Sequence, residues 1–218
     1  MSLDFSIVPS FLDMLFEGAM WTFFLTVLSI IFSLIFGTFF AVMQLSRYRL
    51  FKFFTRFFVW IFMGTPLLLQ VYLIYFGLVQ IGLNLNAFTA GVIALSLHFS
   101  VYNSDIIRSG IFAVDKGHFE ASRSLGLSHS QTMRKVVVPQ ALHMVMPALG
   151  NMMIALLKES SLISIIGVME LTLSAQRAIS ETFHPFEFYV TAAAIYYIFN
   201  LMLEWAIKNV EARSAKYR

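Results

Sequence analysis

The sequence contains no cysteine and few charged residues, and both absences narrow the class of protein. Without cysteine there is neither a disulfide framework nor thiolate chemistry. Charged residues make up 12% of the 218 positions, whereas 59% are hydrophobic and the mean hydropathy is +0.78. Soluble domains carry roughly twice that share of charge. Because a chain of this length cannot enclose so much apolar surface in a water-soluble core, we expect a membrane protein.

The first twenty residues contain no Lys or Arg, although they carry Asp4, Asp13 and Glu17. A secretory signal peptide begins with a basic segment, so we expect none here. The net charge is only +3, and in a membrane protein the placement of basic residues reports topology. The charge therefore does not indicate a nucleic-acid partner.

Five apolar segments approach about 20 residues, the length that a helix needs to cross a bilayer. Their apolar residues are continuous rather than alternating, which favours helices over membrane-spanning strands. We therefore predict an all-α integral membrane protein with five transmembrane helices. The predicted spans are about 19–45, 57–79, 88–107, 144–168 and 189–207. A polar segment, residues 169–188, separates the last two.

Two of these spans carry features that predict local structure. Small residues recur at intervals of three or four in the first span, which lets another helix approach one face closely. These are Gly18, Thr22, Thr26, Ser29, Ser33 and Gly37. In the second span, Pro66 removes a backbone donor and crowds the carbonyl of Phe62, so the helix should kink or begin again there.

The distribution of basic residues predicts the orientation. With five spans, one side of the membrane receives nearly all the Lys and Arg residues, and the other side receives only Arg177. The first group is Arg47, Arg49, Lys52, Arg56, Arg108, Lys116, Arg123, Arg134, Lys135, Lys208, Arg213, Lys216 and Arg218. Because cytoplasmic loops are enriched in basic residues, we predict an outside N-terminus and a cytoplasmic C-terminus.

A polar loop, residues 108–143, lies between the third and fourth spans. Gly126 follows an amphipathic stretch, where a left-handed C-terminal residue belongs. Ser128 and Gln131 have the spacing of a capping box, and Pro139 suits the first turn of the next helix. The polar loop should therefore form two short helices that meet at Gly126. Considered alone, it could also be an amphipathic segment lying on lipid headgroups.

The polar loop resembles a known motif. Glu120-Ala121-Ser122, three residues, Gly126, nine residues and Val136-x-Val138-Pro139 follow one another. This order is similar to the EAA loop in permease subunits of bacterial ABC importers, which reads Glu-Ala-Ala, three residues, Gly, nine residues, Ile-x-Leu-Pro. Here Ser122 replaces the second Ala, and Val136 and Val138 replace Ile and Leu.

Further stretches resemble the polar amino-acid branch of that family, the type that carries histidine, arginine, glutamine or cystine. Gly64-Thr65-Pro66-Leu67-Leu68 is similar to an Arg-Gly-Thr-Pro-Leu-Leu stretch, with Met63 in place of Arg. Others are Ile106 to Ile111, Pro139 to Leu142, Lys158-Glu159-Ser160-Ser161-Leu162 and Glu170-Leu171-Thr172. In order, they extend from about Gly18 to Arg213.

The resemblance implies that residues 1–218 form a single permease domain with the type I ABC importer transmembrane fold. It further implies a multi-pass protein of the bacterial cell (inner) membrane, whose polar loop acts as a cytoplasmic coupling loop and docks on an ATP-binding subunit. The expected docking residues are Glu120, Ala121, Ser122, Leu125, Gly126 and Leu127. An external amino-acid-binding protein would deliver the substrate.

The chain itself is not expected to be an enzyme or to hold a cofactor or metal, because ATP and Mg would be bound by the partner ATPase. Gly77 and Gly82 have the spacing of a phosphate-binding loop, but Leu83 and Asn84 stand where Lys and Ser or Thr are needed. Five spans are too few to enclose a pathway comfortably, so we predict a dimer with an identical or paralogous permease subunit.

Polar side chains within the spans are candidates for the substrate pathway, because ionisable groups in a bilayer are costly. His98, Tyr102 and Asp105 share one face of the third span, and Lys158 shares a face of the fourth with Asn151 and Ser161. The candidates are Gln70, His98, Tyr102, Asn103, Asp105, Asn151, Lys158, Glu159, Ser160 and Ser161. We expect these residues to line a polar cavity between the third and fourth spans, through which a zwitterionic substrate passes. Alternatively, Lys158 pairs with Asp105 or Glu159 and only holds helices together.

The favoured function is an ATP-driven importer subunit for polar amino acids that works by alternating access. A second hypothesis is an ATP-independent secondary transporter, in which Asp105, Glu159 and His98 relay protons. No inverted repeat supports it. A lipid-modifying enzyme is a third, but no nucleophile–base set or paired carboxylates stand out. His118, His129 and His143 are too dispersed for a zinc site.

Overall fold

The computed structural model describes the backbone of residues 3–215 and the side chains from Leu3 to Ala212. The basic residues Arg213, Lys216 and Arg218, counted above for the C-terminal tail, therefore lie outside the described side chains. The α-helices are α1 (Leu12–Leu45), α2 (Arg49–Gly64), α3 (Leu67–Tyr72), α4 (Ala87–Ala113), α5 (Lys116–Ser124), α6 (His129–Thr132), α7 (Val138–Glu159), α8 (Leu171–Thr182) and α9 (Pro185–Ala215).

Short stretches of tighter or wider helix extend several of these. A 3₁₀ segment, Phe5–Phe11, leads into α1, and π and 3₁₀ segments continue α3 to Ile81. A π segment, Met133–Val137, joins α6 to α7, and a 3₁₀ segment, Ser160–Ile166, follows α7. Pro139 lies in the first turn of α7, as predicted.

Within the described residues, four helices are long and apolar enough to cross a membrane. They are Phe5–Leu45, Ala87–Ala113, His129–Ile166 and Pro185–Ala212. A fifth crossing exists if α2 and the segment Leu67–Ile81 count together, although they meet at an angle of 110°. The all-helical prediction is confirmed, with four or five candidate spans.

The small face of α1 packs against two helices: Gly18 and Thr22 meet the start of α8, and Ser33 and Gly37 meet α4. The pairing of α1 with α4 is the most extensive between helices of the described structure. All six predicted residues of that face are buried, which confirms the close approach. At Gly37 an added Cβ would lie 2.7 Å from the Cβ of Asn103 and 3.0 Å from the carbonyl oxygen of Ser100. Only a glycine fits here without shifting the α4 backbone.

The predicted break at Pro66 is confirmed. Helix α2 ends at Gly64, Thr65 is extended, and α3 begins directly after Pro66. The side chain of Gln70 compensates for part of the interruption. Its Nε2 atom donates to the carbonyl oxygens of Phe62 at 2.9 Å and Thr65 at 3.1 Å, and to the Thr65 hydroxyl at 2.8 Å.

Two predicted segments differ in extent from the observed helices. Helix α4 continues past the predicted end at residue 107 to Ala113, so Arg108 lies on the helix, where it reaches Asp105 one turn back. The polar segment 169–188 contains α8, which packs against α1 and α9 through Leu171, Ala175 and Ala178. These apolar residues bury one face of α8, and this packing stabilises a helix in a segment that is too polar to be a span.

Candidate functional site

The polar loop turns at Gly126, as predicted, but only α5, before the turn, is a short separate helix. The predicted second short helix, α6, is instead the first turn of a continuous helix, His129–Ile166, that includes α7. Asp115 caps α5 by accepting a hydrogen bond from the backbone N–H of Gly117. Gly126 adopts a positive φ of 76°, a conformation that costs any residue with a Cβ. The Leu127 backbone N–H then donates to the carbonyl oxygen of Ser122 at 3.1 Å, which closes the end of α5.

A complete capping box starts the second of these helices. The Ser128 hydroxyl accepts from the Gln131 backbone N–H at 3.3 Å, and the Gln131 side chain accepts from the Ser128 N–H at 2.8 Å. Two otherwise unpaired donors are satisfied reciprocally. The turn between the helices is therefore fixed by local hydrogen bonds and does not depend on a partner.

The turn presents an exposed surface that includes most of the predicted docking residues. Leu125 is 80% exposed, and Glu120, Ala121 and Gly126 are also exposed. Leu127 is half-buried. Burial of this leucine against an apolar surface of another protein would contribute roughly 1.5–3 kcal/mol.

Ser122 differs from the other predicted docking residues because it is buried. Only 4% of it is exposed, and its hydroxyl donates to the carbonyl oxygen of His118 at 2.7 Å. The position lies on the inner side of α5, so the side chain cannot reach a partner in this conformation. The family pattern has Ala at this position. The Ser122 hydroxyl is tolerated there because its hydrogen bond is made to a carbonyl group of the same helix.

A small apolar cluster fastens the polar loop to the ends of two membrane helices. Val114 follows α4, Val137 and Ala141 lie at the start of α7, and Phe119 of α5 packs against them. Val137 is fully buried. The polar loop is therefore packed directly against the end of α4 and the start of α7.

The predicted polar face of α4 starts with a contact to the broken helix. His98 Nδ1 lies 3.0 Å from Gln70 Oε1. Because Gln70 Nε2 donates to carbonyl groups, its Oε1 atom is the acceptor for the His98 ring. The Tyr102 ring packs 5.2 Å from that of His98. These three candidates form one group that links α3 to α4.

Asn103 and Asp105 do not belong to that group. Asn103 is buried against α1, where its Nδ2 atom donates to the Ser33 hydroxyl at 3.2 Å. Asp105 forms an ion pair with Arg108 at 2.8 Å. The considered pair between Lys158 and Asp105 is therefore not formed, because the guanidinium one turn away occupies the carboxylate.

Lys158 is exposed, lines a cleft of about 420 Å³ beside α9, and forms no ion pair within the described residues. Ser161 lines the same cleft, together with Ala193, Tyr196, Tyr197 and Asn200. The predicted substrate cavity was lined by the third and fourth spans and did not include these α9 residues. Tyr196 and Asn200 are one turn apart on a mainly apolar helix, which is the only signal that could have indicated them.

The remaining fourth-span candidates have separate surroundings. Asn151 is exposed, and Glu159 is half-buried. Ser160 is fully buried and its hydroxyl donates to the Leu157 carbonyl oxygen at 2.7 Å. The Ser161 hydroxyl donates to the Lys158 carbonyl oxygen at 2.8 Å.

A buried acid, Glu170, lies next to this cleft and was not predicted as a site residue. Its carboxylate accepts from the backbone N–H groups of Thr172 and Leu173 and from the Tyr196 hydroxyl at 2.6 Å. The residue is fully buried, and this burial raises the pKa of the Glu170 carboxyl above its usual value, against the effect of the donors. Glu170 thereby fixes the start of α8 and the Tyr196 wall of the cleft.

Apolar helices of membrane-spanning length define a multi-pass membrane protein, and the cleft at Lys158 between two of them is compatible with a transport subunit. The chain belongs to the family described as binding-protein-dependent transport system inner membrane component, whose model matches residues 30–216. This membership confirms the predicted permease of an ABC importer and disfavours the ATP-independent alternative. A permease of this kind works with ATPase and binding-protein partners.

Relatives and a solved structure cover nearly the whole chain. The arginine transport system permease protein ArtQ of Bacillus subtilis (strain 168) is 37% identical over 214 residues, 98% of each chain. The putative glutamine transport system permease protein GlnP of Rickettsia bellii (strain RML369-C) is 37% identical over 90% of this chain and 91% of that protein. A solved amino acid ABC transporter with histidines has a TM-score of 0.92 and 41% identity, covering 98% of this chain and 100% of that chain.

Proposed function

We propose that this chain moves a polar amino acid across a bacterial inner membrane as one of two permease subunits in an ATP-driven importer. Separate ATPase subunits bind ATP and Mg, and an external binding protein delivers the substrate. The relatives named for arginine and glutamine support this substrate class. The Lys158 cleft supports it further, because an unpaired ammonium group and neighbouring hydroxyl and amide groups suit a zwitterion.

The exposed turn of the polar loop is the observation that carries the coupling mechanism. Glu120, Ala121, Leu125 and Gly126 form the contact surface for the ATPase, Leu127 contributes at its edge, and Ser122 supports the turn from beneath. When the ATPase subunits close, they displace α5 and α6. The apolar cluster around Val137 transfers this displacement to α4 and α7, and the cleft opens to the other side.

The proposed arrangement has five spans, with α2 and Leu67–Ile81 acting together as the second. The N-terminus is then outside and the polar loop is cytoplasmic, which is supported by the concentration of Lys and Arg on one side. The pathway includes the Gln70, His98 and Tyr102 group as well as Lys158, Glu159 and Ser161. Asn103, Asp105 and Ser160 support the helices through their contacts within the chain, and Asn151 is a further exposed candidate for the pathway.

Substitution of Leu125 tests the proposed docking. We expect Leu125→Arg to abolish copurification of the ATPase with the membrane-embedded chain and to abolish ATP-dependent amino-acid uptake in proteoliposomes. Ser130→Arg is the matched control, since Ser130 is exposed on α6 but lies outside the contact surface. Normal ATPase association with Leu125→Arg would contradict the docking, and uptake that ignores ATP would contradict the importer.

A further inference from the structure

Helix α2 carries three cations and three aromatic rings along one cleft. The cleft has a volume of about 400 Å³. Its lining residues are Arg49, Lys52, Phe53, Arg56, Phe57 and Trp60. Their spacing of three and four residues places them on one side of the helix. They occupy the N-terminal part of α2, directly after the short connection from α1.

The three cations lack an anionic partner in the described part of the chain. None of Arg49, Lys52 and Arg56 forms an ion pair with a carboxylate there. Arg49 and Arg56 are exposed, and Lys52 is half-buried. They follow one another within about 10 Å along the helix axis, so their positive charges repel one another. An anion placed between them would relieve that repulsion.

The aromatic rings connect the charged cleft to an apolar groove. Phe53 and Phe57 are stacked with their centroids 6.4 Å apart, and Phe57 and Trp60 are stacked at 6.3 Å. Phe57 also lines the groove between α1 and α2, which has a volume of about 710 Å³. Other residues of that groove are Phe36, Phe39, Phe40, Met43 and Phe54. A strongly basic cleft thus continues into an apolar groove through one shared side chain.

We propose that this continuous surface binds one anionic phospholipid. Its headgroup phosphate lies among Arg49, Lys52 and Arg56, and one acyl chain lies in the groove between α1 and α2. Charge complementarity selects the headgroup, and the apolar groove requires a ligand that carries a hydrocarbon chain on the same molecule. Basic residues next to a membrane helix attract acidic lipids in this way. The site does not depend on the transported substrate or on ATPase docking.

The bound lipid would stabilise the first half of the broken span. Helix α2 buries only Thr55 and Val59 against the rest of the chain. It ends at the interruption before Pro66, beyond which Gln70 reaches His98. A lipid that contacts both α1 and α2 would add apolar contacts to α2, which makes few contacts with the rest of the chain.

Trp60 lies in the cleft and can report the identity of the neighbouring lipid. We would prepare the full-length chain with Trp21→Phe and Trp205→Phe, which leaves Trp60 as the one tryptophan. The protein is placed in phosphatidylcholine nanodiscs that contain a small fraction of brominated phosphatidylglycerol or brominated phosphatidylcholine. Bromine quenches a tryptophan that it contacts, so the two titrations measure the relative affinity of the site.

We expect brominated phosphatidylglycerol to occupy the site with a preference of at least roughly fivefold, the factor that one basic residue supplies at a membrane surface. The variant Arg49→Gln, Lys52→Gln, Arg56→Gln should lower this preference to about one. Lys116→Gln, Arg134→Gln, Lys135→Gln is the matched control, because it removes the same charge from exposed sites on the polar loop. It should keep the full preference.

Two outcomes would overturn the proposal. One is a preference for phosphatidylglycerol that the α2 variant retains. The other is a Trp60 that neither brominated lipid quenches, which would show that a second copy of the chain or another protein covers this face. If the triple variant does not fold, Arg56→Gln alone should still reduce the preference, and an unchanged value would reject the site.

Discussion

Lys158 is a cation without an anionic partner in the described residues, placed in a cleft whose other polar groups come from α9. A lysine that serves only to hold two helices together would be paired with a carboxylate on another helix. Lys208, by contrast with Lys158, has a carboxylate partner within its own helix, Glu204 at 3.7 Å. The unpaired ammonium group is therefore available to a substrate carboxylate. At the scale of single residues, the presence or absence of a carboxylate partner is what distinguishes a structural from a transport role for a lysine.

We expect Lys158→Gln to reduce amino-acid uptake in proteoliposomes by at least tenfold, since it removes a charge-assisted hydrogen bond worth roughly 1.5–3 kcal/mol. ATPase copurification should be unchanged, because the residue is far along the chain from the docking turn. Lys208→Gln, which removes a charge from a paired lysine, should transport normally. Uptake by Lys158→Gln at the level of the unchanged chain would assign Lys158 to a structural role.

Glu170 predicts a pH dependence of stability. Burial raises the pKa of its carboxyl above the ordinary value of 4.5. The folded protein then holds this proton more tightly than the unfolded chain does. The free energy of unfolding that this group contributes therefore falls as the pH rises from 4.5 through the raised pKa.

Thermal unfolding in detergent at a series of pH values measures this contribution. The melting temperature of the unchanged chain should fall more steeply above pH 4.5 than that of Glu170→Gln, whose side chain does not titrate. Glu181→Gln is the control, because Glu181 is an exposed acid near the end of α8. Its curve should parallel that of the unchanged chain, and a parallel curve for Glu170→Gln would refute the raised pKa.

At the scale of elements, the seam between α1 and α4 depends on the absence of a side chain at Gly37. A Cβ there would meet backbone as well as side-chain atoms of α4. Overpacking of this kind costs roughly 1–3 kcal/mol. We therefore expect Gly37→Ala to lower the melting temperature in detergent, because α4 must move away from α1 to accommodate the methyl group.

Gly64→Ala is the matched control for Gly37→Ala. Its added Cβ would meet no atom within 4 Å, and its φ is not positive. The same chemical change should therefore leave the melting temperature unchanged or raise it slightly, since Ala favours helix over Gly. Equal melting temperatures for the two variants would show that the seam is loosely packed.

The sequence predicts those elements of this fold whose cause is local. The spacing of Thr22, Ser33 and Gly37 identifies a packing face because it follows from one helical period. Gly126 and the Ser128 capping box likewise depend only on neighbouring residues. The helices that cover this face, however, are α4 and α8, more than fifty positions along the chain, and no periodicity within α1 identifies them.

The candidate site was less predictable for the same physical reason. Lys158 is a functional candidate from sequence because an ionisable group inside a bilayer is energetically costly. Its neighbours Tyr196 and Asn200, however, come from another span. The burial of Ser122 depends on the rotation of α5 over Val137. These contacts join segments whose relation is set by tertiary packing. Arg108 is different, because it pairs with Asp105 only three positions earlier within α4, and the predicted boundary at residue 107 placed it in a loop.

At the scale of the whole molecule, the bent pair of α2 and Leu67–Ile81 decides the topology. If the pair crosses the membrane, Asn84 lies outside and Ser130 of the polar loop lies in the cytoplasm. If it enters and leaves on one side, both assignments reverse, because every later span changes direction. The exposed positions Leu3, Asn84, Ser130 and Glu181 therefore distinguish five spans from four.

The chain has no cysteine, so single cysteines can be introduced without altering any native residue of that type. In intact cells, a membrane-impermeant maleimide should label Leu3→Cys, Asn84→Cys and Glu181→Cys. Ser130→Cys should be labelled only after permeabilisation, since loops rich in Lys and Arg favour the cytoplasmic side. Labelling of Leu3→Cys and Ser130→Cys but not Asn84→Cys in intact cells would mean a re-entrant pair. The polar loop could then not reach an ATPase in the cytoplasm, so this result would also reject the coupling mechanism.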